Sequence, residues 1–136
     1  MADDAADSTA LQLSVAEAMA DVDRAQWNAI ANPPGERYDP FLDWDFLEAL
    51  ESTGCASPET GWTPRHMLAH DGAGKLIGAA PLYLKTHSRG EFVFDHSWAD
   101  ALHRAGGRYY PKLLCAVPFT PVTGRRRLEA GPNALS

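Results

Sequence analysis

Apolar Leu11, Leu13 and Val15 alternate with polar Gln12 and Ser14, and this period of two predicts a short strand over 11–16. The same stretch carries a helical alternative. Ser14 and Glu17 have the spacing of a capping box, and Val15, Met19, Val22, Gln26 and Ile30 lie near one helical stripe. A strand followed by a separate helix is preferred, with Asp23 as N-cap and Trp27 and Ile30 turned inward. Pro33, Pro34 and Gly35 make 32–39 a loop. A second helix is predicted over 43–53, where Phe46, Leu47 and Leu50 form the apolar face and Gly54 stops it. Residues 55–63 are a loop.

The next segments predict a hairpin, with strands over 63–70 and 75–85 joined by the turn Asp71-Gly72-Ala73-Gly74. Leu76, Ala80, Leu82 and Leu84 fall on one face of the second strand, Ile77, Ala79 and Tyr83 on the other. Both faces need cover, which implies helices on both sides of the sheet. After the polar turn 87–90, a strand is expected over 91–95, with Phe92 and Phe94 opposed to Val93. Ser97 is the expected N-cap of a helix beginning at Trp98. Asp100 lies near its positive first turn, and Gly106-Gly107 ends it. Trp98, Ala101, Leu102 and Ala105 give that helix a narrow face for the sheet. Residues 112–117 are apolar without alternation, as in a strand buried on both faces, and Pro118 and Pro121 end it.

The order is thus β-α-α-β-β-β-α-β, an α/β fold with a mixed sheet flanked by helices. Residues 1–10 are expected to be a disordered acidic tail, 11–128 the folded unit and 129–136 an irregular end. A central strand arriving last leaves an open edge, so the chain is expected to be a fragment or to need a partner.

Composition narrows the function. With 136 residues, 45% hydrophobic and 22% charged, the chain has room for at most one domain. No apolar run is long enough to span a bilayer and the first residues lack a signal-peptide pattern, so a cytoplasmic location is expected. Cys55 and Cys115 have no metal or disulfide spacing and are expected to be buried small hydrophobes. The net charge of -6 is uneven. Residues 1–50 hold 11 acids and 2 bases, whereas 101–136 hold 6 bases and 1 acid. The basic end suits an anionic ligand, while the acidic total argues against dedicated nucleic-acid binding.

His66 and His70 are four apart but in a predicted strand, so no metal site is expected. No dinucleotide or phosphate-loop fingerprint is present, and adjacent Asp95-His96-Ser97 cannot be a catalytic triad. The candidate site is the strand-end cluster of Asp95, His96, Trp98 and Asp100 facing Arg108, Tyr109, Tyr110 and Lys112, because pockets in open α/β sheets form where strand ends diverge. The alternative is that Trp98 and both tyrosines are packing residues. Asp95 or His96 would accept a proton from an amine. Trp98, Asp100, Tyr109, Tyr110 and Lys112 would bind substrate, and the Arg125-Arg127 run reads as a solvated charge run or, with Arg125 foremost, as a grip for an anion.

Several uninterrupted strings carry a family resemblance: Trp62-Thr63-Pro64-Arg65-His66, Gly78 through Lys85, Phe94-Asp95 with Ser97-Trp98-Ala99-Asp100-Ala101, and Tyr109-Tyr110-Pro111-Lys112-Leu113 through Val117-Pro118-Phe119-Thr120-Pro121-Val122-Thr123-Gly124. Over about 11–128 the chain resembles the FemAB-like predicted N-acyltransferases, of peptidoglycan biosynthesis type and related to the GNAT acetyltransferases. The resemblance implies two GNAT-like halves, of which this chain would be the first. It also implies transfer of an acyl or aminoacyl group onto a small-molecule or peptide amine. The turn Asp95-His96-Ser97 lacks the glycines with which GNAT enzymes hold the acetyl-CoA pyrophosphate. This half is therefore expected to bind no cofactor itself and to hold the acceptor, with acyl-CoA or an aminoacyl donor met by the complete protein. A non-catalytic module recognising a cell-wall precursor or a partner domain is the alternative.

Overall fold

The first two α-helices start at carboxylate caps. The computed structural model describes residues 10–91, 95–120 and 124–131. Helix α1 is Arg24–Ala31, and the Asp23 side chain accepts a hydrogen bond from the Gln26 amide at its N-terminus. Helix α2 is Trp44–Ser52, capped in the same way by Asp43 and followed by Gly54 at φ +81°, a conformation that favours glycine. Helix α3 is His96–Arg104.

Around the helices lie β1 (Gln12–Ala16), β2 (Trp62–Pro64), β3 (His66–His70), β4 (Leu76–Ala80), β5 (Leu82–Lys85), β6 (Lys112–Cys115) and β7 (Leu128–Glu129). The predicted hairpin is present, but both limbs are broken. Proline has no amide hydrogen to continue a ladder, and Pro81 separates β4 from β5. Opposite it, Arg65 separates β2 from β3 and donates its amide to the Leu82 carbonyl at 2.9 Å. The limbs therefore enter two antiparallel sheets, ordered β1-β3-β4-β7 and β2-β5-β6, where one mixed sheet was expected.

Helices α1 and α2 cover one face of the four-stranded sheet. Met19, Val22, Trp27, Ile30, Leu42 and Leu47 pack there against Leu68, Leu76, Ala79 and Leu128. The buried Trp27 indole nitrogen donates to the Leu42 carbonyl at 2.9 Å, so its polar atom is satisfied. The expectation of helices on both sides is not met among the described residues. Leu13, Val15 and Met67 alternate as strand residues should, yet they are 64%, 56% and 40% exposed on the opposite face. A period of two reveals that a strand has two faces and not which one is covered.

Glu51 ties the layers together. It accepts from the Met19 amide at 2.7 Å and sits 2.7 Å from the ring nitrogen Nε2 of fully buried His66. The other ring nitrogen, Nδ1, accepts from the Leu82 amide at 3.3 Å, which leaves the proton on Nε2 to be donated to Glu51. His66 is therefore a joint between α2 and β3, and among the described residues no group of His, Cys, Asp and Glu is placed to hold a metal.

Further expectations need correction. Helix α3 begins two residues earlier than predicted: Ser97 lies in its first turn and Asp95 takes the N-cap position. It buries no residue, and the face expected to meet the sheet is open, with Trp98 74% exposed. Strand β6 is not buried on both faces, since Leu113 is 64% exposed. Cys55 and Cys115 are both exposed. At the end of the expected folded unit, fully buried Leu128 of β7 pairs with Ala79. The core of the predicted strand 91–95, residues 92–94, and nearly all of the predicted tail lie outside the described residues. No described helix is long and apolar enough to cross a membrane.

Candidate functional site

Strands β5 and β6 run antiparallel with Lys85 opposite Lys112, so two lysines meet at one end of the small sheet. Alternation places Lys85 on the inner face with Tyr83, and it is fully buried. Its ammonium lies 3.8 Å from the centre of the Trp62 ring, donates to the Arg89 carbonyl at 2.6 Å and stands 3.4 Å from Glu91 Oε2. Burial pushes the Lys85 amine below its ordinary range, with Glu91 acting in the opposite sense.

Lys112 holds the centre of the cluster. Its Nζ donates to Glu91 Oε1 at 2.8 Å, to Asp95 Oδ2 at 2.5 Å and to Ser88 Oγ at 3.3 Å. Tyr109 donates to Asp95 Oδ2, and Ser88 donates to Asp95 Oδ1. With its one proton used, Ser88 must accept from the Tyr110 hydroxyl. Asp95 sits at the N-cap position of α3 without capping it, because its carboxylate is committed to these donors.

Burial pushes the Asp95 carboxyl up, but hydrogen bonds from Lys112, Ser88 and Tyr109 outweigh it and hold the group well below the usual carboxylate range. For Lys112, burial acts downward and is outweighed by the bonds to Asp95 and Glu91, so its amine is raised. A depressed carboxyl binds protons more weakly folded than unfolded. The stability Asp95 contributes is therefore complete above the unfolded value of about 3.9 and is lost as pH falls through the folded value. Unfolding midpoints measured across the acid range should fall toward low pH, and Asp95→Asn should flatten that slope.

Beside the cluster runs a groove of about 590 Å³, lined by Trp62, Gly90, Glu91, Asp95, Tyr109, residues 112–117, Thr120 and Arg126. Trp62 on its wall packs against two further rings, 5.3 Å from Tyr83 and 5.1 Å from Phe119 between ring centres. Gly90 lets the chain pass these rings. It has φ +82°, and a Cβ there would lie 2.6 Å from the Phe119 ring and 3.0 Å from Trp62 Nε1. Gly90→Ala should therefore lower stability by about 1–3 kcal/mol and change the Trp62 fluorescence, as read by thermal unfolding.

The residues expected from sequence are only partly gathered. Asp95, Tyr109, Tyr110 and Lys112 share the hydrogen-bonded cluster. Asp100 lines a neighbouring pocket of about 280 Å³ with Ala99, His103, Arg108, Tyr109 and Tyr110. His96 and Trp98 are exposed on the first turn of α3. Arg125 is elsewhere, donating to the Ala31 carbonyl at 2.6 Å at the C-terminal end of α1. Sequence reasoning missed Lys85, Ser88 and Glu91. The signal for Lys85 was the alternation with Tyr83, whereas Ser88 and Glu91 gave none beyond polarity in a turn.

Fold and site together define a protein of two antiparallel sheets and three α-helices among the described residues, with a lysine–carboxylate centre opening on a groove. The chain belongs to the FemAB-like family, described as peptidoglycan biosynthesis/recognition, which matches it over residues 18–134. No curated protein and no solved structure gives a significant match.

Proposed function

We propose that this chain forms the acceptor-binding part of a GNAT-related N-acyltransferase acting on cell-wall peptides in the cytoplasm. The observation that carries the proposal is the groove beside Lys112 and Asp95. In the cluster Lys85 and Lys112 balance Glu91 and Asp95, so no cationic surplus is offered to a pyrophosphate. A peptide, which carries both an amine and a carboxylate, fits this balanced cluster better than a polyanion does.

In the transfer, the amine nitrogen attacks the donor's acyl carbon and the bond to the leaving group breaks. The proton lost by the amine passes through a base to that leaving group. Asp95, held ionised by three donors, is a poor proton acceptor and orients Lys112 and Tyr109 instead. His96 on the adjacent turn keeps the role of base, and the backbone amides near β6 are the donors for the tetrahedral oxyanion. The same engagement of Asp95 favours the rival reading, a module that recognises the precursor without catalysis.

Calorimetric titration with a peptidoglycan stem pentapeptide and with acyl-CoA tests the assignment. Binding of the peptide alone is expected, and binding of acyl-CoA would overturn it. In a transfer assay of the complete protein His96→Ala should slow turnover by about 10²- to 10⁴-fold with the fold intact. Unchanged turnover would remove His96 as the base, and no turnover in the parent protein would leave the recognition reading.

A further inference from the structure

We infer that the indole N–H of Trp62 is a recognition point of the groove, receiving a carbonyl oxygen of the bound peptide once the Phe119 ring turns aside. This rests on the acceptor-binding reading above and names the group that the protein reads. Trp62 lines the groove and is 1% exposed, yet its Nε1 has no hydrogen-bond partner among the described residues. A buried indole ordinarily finds an acceptor, as Trp27 does at the Leu42 carbonyl. Left unmatched, the donor forfeits the hydration it has in the unfolded chain. Two further buried polar atoms lack a hydrogen bond, but they are placed differently. Glu91 Oε2 faces the Lys85 ammonium at 3.4 Å, and Tyr83 is not on the groove wall.

The place of the N–H follows from its neighbours. Gly90 also lines the groove, and a Cβ on it would lie 3.0 Å from Nε1, so the N–H edge of the indole is on the Gly90 side. The same Cβ would lie 2.6 Å from the Phe119 ring, which packs on the indole at a tilt of 41°. Phe119 therefore covers this edge. Its ring is 44% exposed, so turning it outward gives up little buried surface. Its φ of +60° is a left-handed conformation that a bulky residue seldom adopts, a strain of the kind found at ligand clamps. An indole N–H can only donate, so whatever takes the place of the ring must accept, and every peptide unit supplies a carbonyl.

The test is NMR of the indole N–H groups of the full chain, with and without a peptidoglycan stem pentapeptide. At saturation the Trp62 indole proton is expected to move downfield and to lose its nuclear Overhauser contacts with the Phe119 ring. Trp62→Phe, which keeps a ring and loses the donor, should weaken peptide binding by about three- to tenfold. Peptide binding shown by calorimetry with the Trp62 signal unmoved, or with affinity unchanged in Trp62→Phe, would overturn the inference and leave the acceptor reading intact. Absence of binding would overturn both. A Trp62 indole proton already downfield in the free chain, with a cross-peak to a bound water, would also overturn the inference, by giving the donor to a trapped water.

Discussion

Lys112→Met is expected to destabilise the chain by about 3 kcal/mol, because it removes the shared cation of two largely buried carboxylates while keeping most of the apolar stem. Glu91 and Asp95 are only 8% and 17% exposed in their side chains, and each accepts a hydrogen bond from Lys112. Without the ammonium, Glu91 retains Lys85 at 3.4 Å, and Asp95 retains only the hydroxyls of Ser88 and Tyr109. Urea unfolding at neutral pH measures the loss. The double variant Lys112→Met/Asp95→Asn should recover part of it, since removing both partners leaves fewer charges stranded than removing one. Additive losses would mean that the two side chains do not interact.

Glu51→Ala is expected to cost about 3–4 kcal/mol, since it strands two buried donors at once and leaves a small void. The Met19 amide and the His66 ring both end on this carboxylate, and His66 has no exposed surface. Glu51→Gln should be milder, because its amide oxygen can still accept one of the two bonds. Chemical denaturation of the three proteins gives the order. A loss below about 1 kcal/mol for Glu51→Ala would show that this joint contributes no more than an ordinary surface contact.

What was legible in the sequence was what depends on neighbours along the chain. Asp23 and Asp43 cap α1 and α2 because a carboxylate reaches the amides two or three residues on, whatever the rest of the molecule does. The Asp71-Gly74 turn is likewise local, the Asp71 carboxylate accepting from the amides of Ala73 and Lys75. The meeting of Asp95 and Lys112 was reachable because both flank strand or helix ends around one connection.

The two-sheet arrangement was not reached, although Pro81 in the middle of a predicted strand was the available sign of a break. Glu51 and His66 were invisible as a pair, since only the packing of α2 against β3 brings them together. The outward turn of Leu13 and Val15 was hidden for a different reason. Periodicity is the same for a covered face and an open one, and the distinction belongs to the layers above and below.

The claim on which the functional account turns is that the Lys112–Asp95 centre and its groove recognise a cell-wall peptide. The most direct measurement is the affinity of a peptidoglycan stem pentapeptide for the unmodified chain, for Lys112→Met and for Arg125→Ala, each below its unfolding midpoint. The account predicts that Lys112→Met weakens binding by at least about tenfold. It also predicts that Arg125→Ala, altered where the side chain serves the end of α1, binds as the unmodified chain does. Equal affinity in all three proteins, or a loss confined to Arg125→Ala, would contradict it.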